Sequence, residues 1–209
     1  MLVSEFVNAL LQVAVVLLIA WIPWLIFARK GSGFREWIGL ILPTARSMIW
    51  ALVIFAVWSV FTTALYFLPA FTELAAGQGT VAGAVRETGF SAETIALIAI
   101  LALIKTGLSE EILFRGLIAK RLINALGFWI GNTVQAAIFG AIHLAIFLIP
   151  GGPDFTLILG ALVLFVPGMA GWIMGFVNEK LGNGSIAPGW LIHGLGNAIS
   201  YPVLAFLVT

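Results

Sequence analysis

The sequence predicts an all-α, polytopic integral membrane protein, a single bundle of about six to eight transmembrane helices. Three observations predict it. Of 209 residues, 62% are apolar and 9% charged, with a mean hydropathy of +1.14, against roughly 45–50% and about 25% in soluble domains. Ten Lys/Arg and nine Asp/Glu cannot clothe a water-facing surface of this size. Apolar runs of about twenty residues, the length that crosses a hydrocarbon core of about 30 Å, recur between polar breaks. Nine of the ten cations fall in alternate breaks, the bias of cytoplasmic loops.

Six runs can be marked, at 5–28, 47–69, 92–118, 126–149, 155–177 and 188–207. The first has no basic segment before it and is followed by Arg29 and Lys30 rather than small-residue cleavage signals, so it reads as a retained span, not a signal peptide. The third starts at Ser91 with Glu93 in its first turn, stays apolar through Leu103, then becomes Lys105-Thr106-Gly107-Leu108-Ser109-Glu110-Glu111. It is one long helix or two broken near Gly107, and an amphipathic helix at 116–125 would raise the count further. The end, Phe206-Leu207-Val208-Thr209, carries no lipidation or retention signal.

Six crossings place 29–46, 105–121 and 178–187 on one side, with Arg29, Lys30, Arg35, Arg46, Lys105, Arg115, Lys120, Arg121 and Lys180. The other side receives both termini and loops 70–91 and 150–154, with Arg86, Glu5, Glu73, Glu87 and Asp154. The first side is therefore expected to be cytoplasmic and both termini outside. Trp21, Trp24, Trp37 and Trp50 flank the first cationic loop as lipid anchors. This placement also discounts Asn183-Gly184-Ser185 as a glycosylation acceptor.

Other function classes fall away. A net charge of +1 without a clustered basic stripe leaves no footprint for nucleic acid. Without cysteine there is no disulfide, thiolate metal site or thiol catalysis. The Gly-rich loops 77–89 and 182–189 lack the phosphate-cradling G-x-x-x-x-G-K-[ST] pattern.

Ionisable groups at bilayer depth cost several kcal/mol and are functional candidates by default. Three clusters qualify: Glu110-Glu111-x-x-x-Arg115, Phe139-x-x-x-His143 and His193-x-x-x-Asn197, which contain both histidines of the chain. Glu111 and Arg115 stand i,i+4 with the acid first, the favourable order for an ion pair on one helix face. Glu110 is rotated by about 100° and stays free for another partner. His193 and Asn197 share a face, and His143 can join them from a second helix. Glu110 as base on a water, His143 helping to orient or deprotonate it, and His193 with Asn197 as oxyanion donors make an acyl-transfer hydrolase.

Glu110-Glu111-Ile112-Leu113-Phe114-Arg115-Gly116, Phe139-Gly140-Ala141-Ile142-His143 and His193-Gly194-Leu195-Gly196-Asn197 together resemble the three ordered motifs of the CPBP family of intramembrane proteases. That family includes the type II CAAX prenyl endopeptidases, the ABI proteins and proteins of bacteriocin processing or self-immunity. The resemblance covers roughly 105–200. It implies a catalytic membrane core at 91–209 and peripheral helices at 1–90. It also implies peptide-bond hydrolysis by Glu110, His143, His193 and Asn197, supported by Glu111, Arg115 and Phe139. A glutamate-dependent mechanism without a metal cofactor, a membrane-embedded or lipidated peptide or protein as substrate, and a prokaryotic plasma-membrane location follow from the same resemblance.

Two alternatives stay open. Zinc held by His143, His193 and Glu110 would leave a position for water, although no H-E-x-x-H is present. A non-catalytic immunity or scaffold protein would use the cluster to bind a membrane partner.

Overall fold

The computed structural model describes residues 1–77 and 79–208, apart from the side chains of Glu73 and Ala76. The Glu73 charge and the Thr209 end therefore lie outside the described residues. All regular structure among the described residues is helical: α1 Leu2–Phe27, α2 Phe34–Trp37, α3 Ala45–Tyr66, α4 Ala70–Ala76, α5 Val81–Glu87 and α6 Ala92–Ala99. The helix after α6 widens into π1, Ile100–Leu108, and π2, Glu111–Ala119, and then continues as α7, Lys120–Leu126. α8, Phe128–His143, ends in a 3-10 turn, Leu144–Leu148; α9, Leu157–Phe176, ends in π3, Val177–Leu181; α10 is Ala187–Phe206.

Four helical stretches are long and apolar enough to cross a membrane: Leu2–Phe27, Ala45–Tyr66, Phe128–Leu148 and Leu157–Leu181. They fall within a few residues of four of the six expected spans. The other two, 92–118 and 188–207, are helical but do not meet that criterion. Lys105, Glu110, Glu111 and Arg115 interrupt the first, and Pro188, His193, Asn197, Ser200, Tyr201 and Pro202 dilute the second. The chain is a helical membrane protein whose two most polar long helices lie inside the bundle.

The 92–126 stretch explains this arrangement. Ser91 caps it by accepting the Thr94 N–H at 3.2 Å. There is no break at Gly107; the helix runs through it, and the glycine instead admits α10, since a Cβ there would stand 3.2 Å from the Cα of Gly194. A π turn closes i→i+5 rather than i→i+4 bonds and spoils the regular pairing of carbonyls. Side chains from three helices take up those carbonyls. Gln12 of α1 donates to Lys105 O at 2.7 Å, Trp190 of α10 to Leu103 O at 2.7 Å, and Thr106 to Leu101 O at 2.9 Å; Ser109 also donates to Lys105 O.

One consequence corrects the charge map. The segment 105–121 is not a loop, so Lys105 and Arg115 leave the cationic-loop set. Lys105 lies beside Glu5 at the start of α1, with Nζ 2.9 Å from the carboxylate, and Arg115 is buried. The remaining cationic end is laced together. Lys120 donates to Glu179 and to Gly184 O, each at 2.7 Å. Arg121 stacks 3.7 Å from the Trp37 ring and donates to its carbonyl. Burial pulls the Arg121 guanidinium down to about 10. Trp37, expected only as a lipid anchor, is thus a structural partner of Arg121.

At the opposite end α4 and α5 form a roof. Arg86 of α5 donates to Ala205 O at 2.9 Å, to Leu204 O at 3.1 Å and to Ala75 O, joining α4 to the open carbonyls at the C-terminus of α10. A cation suits that position twice over, as a donor and as a complement to the helix dipole. Gly79 N–H donates to Gly151 O at 3.1 Å and ties the roof to the loop before α9. Arg86→Ala is expected to remove roughly 2 kcal/mol of local stability. Hydrogen exchange should then accelerate at 70–91 while α8 and α9 keep their protection.

Candidate active site

Three helices deliver the polar groups. Glu110, Glu111 and Arg115 come from the widened helix, Phe139 and His143 from the last turn of α8, and His193 and Asn197 from successive turns of α10. Glu111 and Arg115 are 0% and 1% exposed, with Oε1 and Nη1 2.9 Å apart. The same Oε1 lies 3.2 Å from His193 Nδ1, and Glu110 Oε2 lies 3.7 Å from His193 Nε2. His193 is therefore held between two glutamates, one buried and paired, the other at the edge of a cavity.

Phe139 is the spacer at the centre. Its ring meets the Arg115 guanidinium at 4.0 Å, the His143 ring at 4.8 Å and the His193 ring at 5.8 Å, both edge-on. The guanidinium gains an aromatic face in place of water, and both imidazoles are fixed in orientation. Arg115 fits because Gly171 has no side chain: a Cβ there would lie 2.9 Å from Nη2. Glu111 Oε2 fits for the same reason beside Gly189, where a Cβ would stand 2.6 Å from it and 2.6 Å from Asn178 Nδ2.

Hydrogen-bond direction assigns one tautomer. His143 Nδ1 lies 2.7 Å from Phe139 O. A carbonyl only accepts, so Nδ1 carries the proton and the neutral ring presents a bare Nε2. His193 Nδ1 likewise faces the Glu111 carboxylate, the partner of Arg115, and donates to it. Asn197 Nδ2 donates to Thr106 Oγ1 at 3.0 Å.

Glu110, His143, His193 and Asn197 all line one cavity of about 370 Å³. From this polar floor it extends towards the roof between α3 and α9, past Trp58, Thr62 and Tyr66 on one wall and Val166, Pro167 and Ala170 on the other. α3 and α9 have no extensive backbone approach to each other. Their side chains meet at the cationic end, around Ala51 and Met174, and Phe71 of the roof bridges Tyr66 and Leu159 at the other. Between these closures the cavity is walled by α3 and α9, whose outer faces expose Val57, Phe61, Phe165 and Met169.

All seven expected site residues thus belong to one connected cluster. Sequence reasoning missed three others. Tyr201 continues the i+4 series of His193 and Asn197 and could have been found from it; Thr106, in the polar run before Glu110, carried a weaker signal. Asn178 is buried, and its Oδ1 accepts the Gly189 N–H at 2.7 Å. Its place at the polar end of a span made it indistinguishable from a loop residue.

Glu111→Gln leaves the Arg115 charge buried without its counter-ion and is expected to cost roughly 3–5 kcal/mol, read as lost folded yield in detergent. Gly189→Ala overpacks the same carboxylate and is expected to cost about 1–3 kcal/mol, with a lowered melting temperature as the measure.

No curated protein and no solved structure matches the chain. A family model does, over residues 92–199, which contain all seven expected site residues. It is the model described as Type II CAAX prenyl endopeptidase Rce1-like. With all three motifs inside a match that spans over half its length, the chain belongs to this family of membrane proteases.

Proposed function

We propose that the protein is an intramembrane endopeptidase that hydrolyses a peptide bond of a membrane-embedded or prenylated substrate with a water activated by Glu110 and His143. The observation that carries this reading is the convergence of a half-exposed carboxylate, a bare imidazole Nε2 and two donor side chains on one otherwise apolar cavity. Glu110 takes a proton from water, with Nε2 of His143 holding or sharing it. The oxygen attacks the scissile carbonyl carbon and places a negative charge on the carbonyl oxygen. Asn197 donates to that oxyanion through its second N–H, and His193 through Nε2, which requires a ring carrying both protons. The carbon–nitrogen bond then breaks, and the proton held at the Glu110–His143 pair passes to the leaving amine.

A metal-free mechanism is part of the proposal. The substrate class rests on the apolar cavity walls supplied by α3 and α9, which we read as a slot that a lipid chain or an unwound peptide segment can enter from the bilayer. We further infer that 92–118 and 188–207 complete six crossings, their charges shielded by the surrounding helices. The laced end bearing Lys120, Arg121 and Lys180 then faces the cytoplasm and the roof the outside.

The test is cleavage of a farnesylated CAAX peptide, beside an unprenylated control, by purified protein in liposomes. Wild type is expected to cleave the farnesylated peptide without added metal and to resist chelators. Glu110→Ala and His143→Ala should be inactive, and Asn197→Ala slower by about 10²–10³. Undiminished turnover in Glu110→Ala overturns the mechanism. Stoichiometric zinc with chelator-sensitive activity replaces it with a His–His–Glu metal site. Equal cleavage of the unprenylated control removes the lipid from the recognised substrate.

A further inference from the structure

Thr106 stands at a branch point of hydrogen bonds that the proposed mechanism does not use. It lies in π1, on the cavity wall, with its Oγ1 2.9 Å from Leu101 O, 3.0 Å from Asn197 Nδ2 and 3.0 Å from the Tyr201 hydroxyl. A threonine hydroxyl has one hydrogen and two lone pairs. The carbonyls of Leu101 and Ala102 only accept, and the hydroxyl hydrogen is directed at them, most closely at Leu101 O. The shorter of its two carbonyl contacts spans five residues, as a π turn allows, and the longer, 3.4 Å to Ala102 O, spans four. With its hydrogen on a backbone carbonyl the oxygen is left with two lone pairs, which face the Asn197 amide nitrogen and the Tyr201 hydroxyl, two groups of α10 that can donate.

We propose that Thr106 is a positioning residue of the oxyanion site, an acceptor-only hydroxyl that sets the amide of Asn197. An asparagine amide can flip by 180° and present either its oxygen or its nitrogen to a site, and only the nitrogen can stabilise a negative charge. Facing an oxygen that has no hydrogen to give, Asn197 has to turn its NH₂ towards Thr106. One N–H is used there and the other remains for substrate. The flipped amide would set two oxygens against each other. Tyr201, one turn beyond Asn197, donates to the other lone pair and keeps Thr106 from rotating its hydrogen towards the cavity. Because the hydroxyl spans π1 and α10, it also fixes the distance between the helix carrying Glu110 and the helix carrying the two donors. The inference rests on the oxyanion role given to Asn197 above.

Thr106→Val keeps the shape and removes the acceptor, while Thr106→Ser restores it. Steady-state cleavage of the farnesylated peptide in liposomes should show kcat reduced roughly tenfold in Thr106→Val, as for loss of one oriented hydrogen bond, with KM changed by less than about threefold. Thr106→Ser should return kcat to near the wild-type value. In an Asn197→Ala background Thr106→Val should have no further effect on kcat, since the group it positions has gone. Melting temperatures of all four proteins separate a folding defect from a positioning one. A full tenfold loss in the Asn197→Ala background, or an unchanged kcat in Thr106→Val beside a slow Asn197→Ala, overturns the inference. If Asn197→Ala itself turns over at the wild-type rate, the oxyanion reading fails instead, and the two failures are told apart.

Discussion

A buried ion pair, Glu111 with Arg115, sets the terms for everything around it. Two charges removed from water are stable only when geometry and additional partners compensate their desolvation. This pair draws compensation from four helices. His193 of α10 donates to the carboxylate, Phe139 of α8 covers the guanidinium, Gly171 of α9 leaves it room, and the widened helix supplies both ions. The arrangement couples folding to function, because the side chains that make the pair tolerable are the ones that orient both imidazoles.

The π stretches are the second half of the same solution. A helix of ordinary pitch satisfies its own carbonyls and needs little from its neighbours. The wide turns of 100–119 leave carbonyls at Leu101, Leu103 and Lys105 that α1, α10 and the helix's own Thr106 and Ser109 take up. Polar groups placed at this depth cannot fall back on water, so each becomes a specific tie between helices. Gln12 of α1, an isolated polar residue in an apolar run, makes sense only as one such tie.

Sequence periodicity was a good guide wherever the environment was uniformly apolar. The spans at 5–28, 47–69, 126–149 and 155–177 correspond to helices displaced by a few residues, and the Glu111–Arg115 pair follows from its i,i+4 spacing. Legibility fell where local chemistry competes with periodicity. Gly107 and the polar run after it suggested a break, because nothing in one chain's pattern distinguishes a helix that ends from one that widens and is repaired by other helices. Lys105 was misplaced for the same reason: hydropathy assigns a cation to a loop, whereas Glu5, a hundred residues earlier, meets it inside the fold. Asn178 depends on the close approach of Gly189, a contact without sequence periodicity.

The proposed slot between α3 and α9 changes what concentration means for this protein. A substrate arriving through a slot that faces lipid is presented by diffusion in two dimensions, so the quantity that fills the site is molecules per unit of bilayer area. Expanding the membrane at fixed amounts of protein and substrate dilutes one from the other, even though the volume of the sample is unchanged. Water for the proposed hydrolysis would come the other way, from an aqueous phase into an apolar cavity with a polar floor. On the proposed function, substrate and co-substrate would thus reach the same few atoms from different solvents.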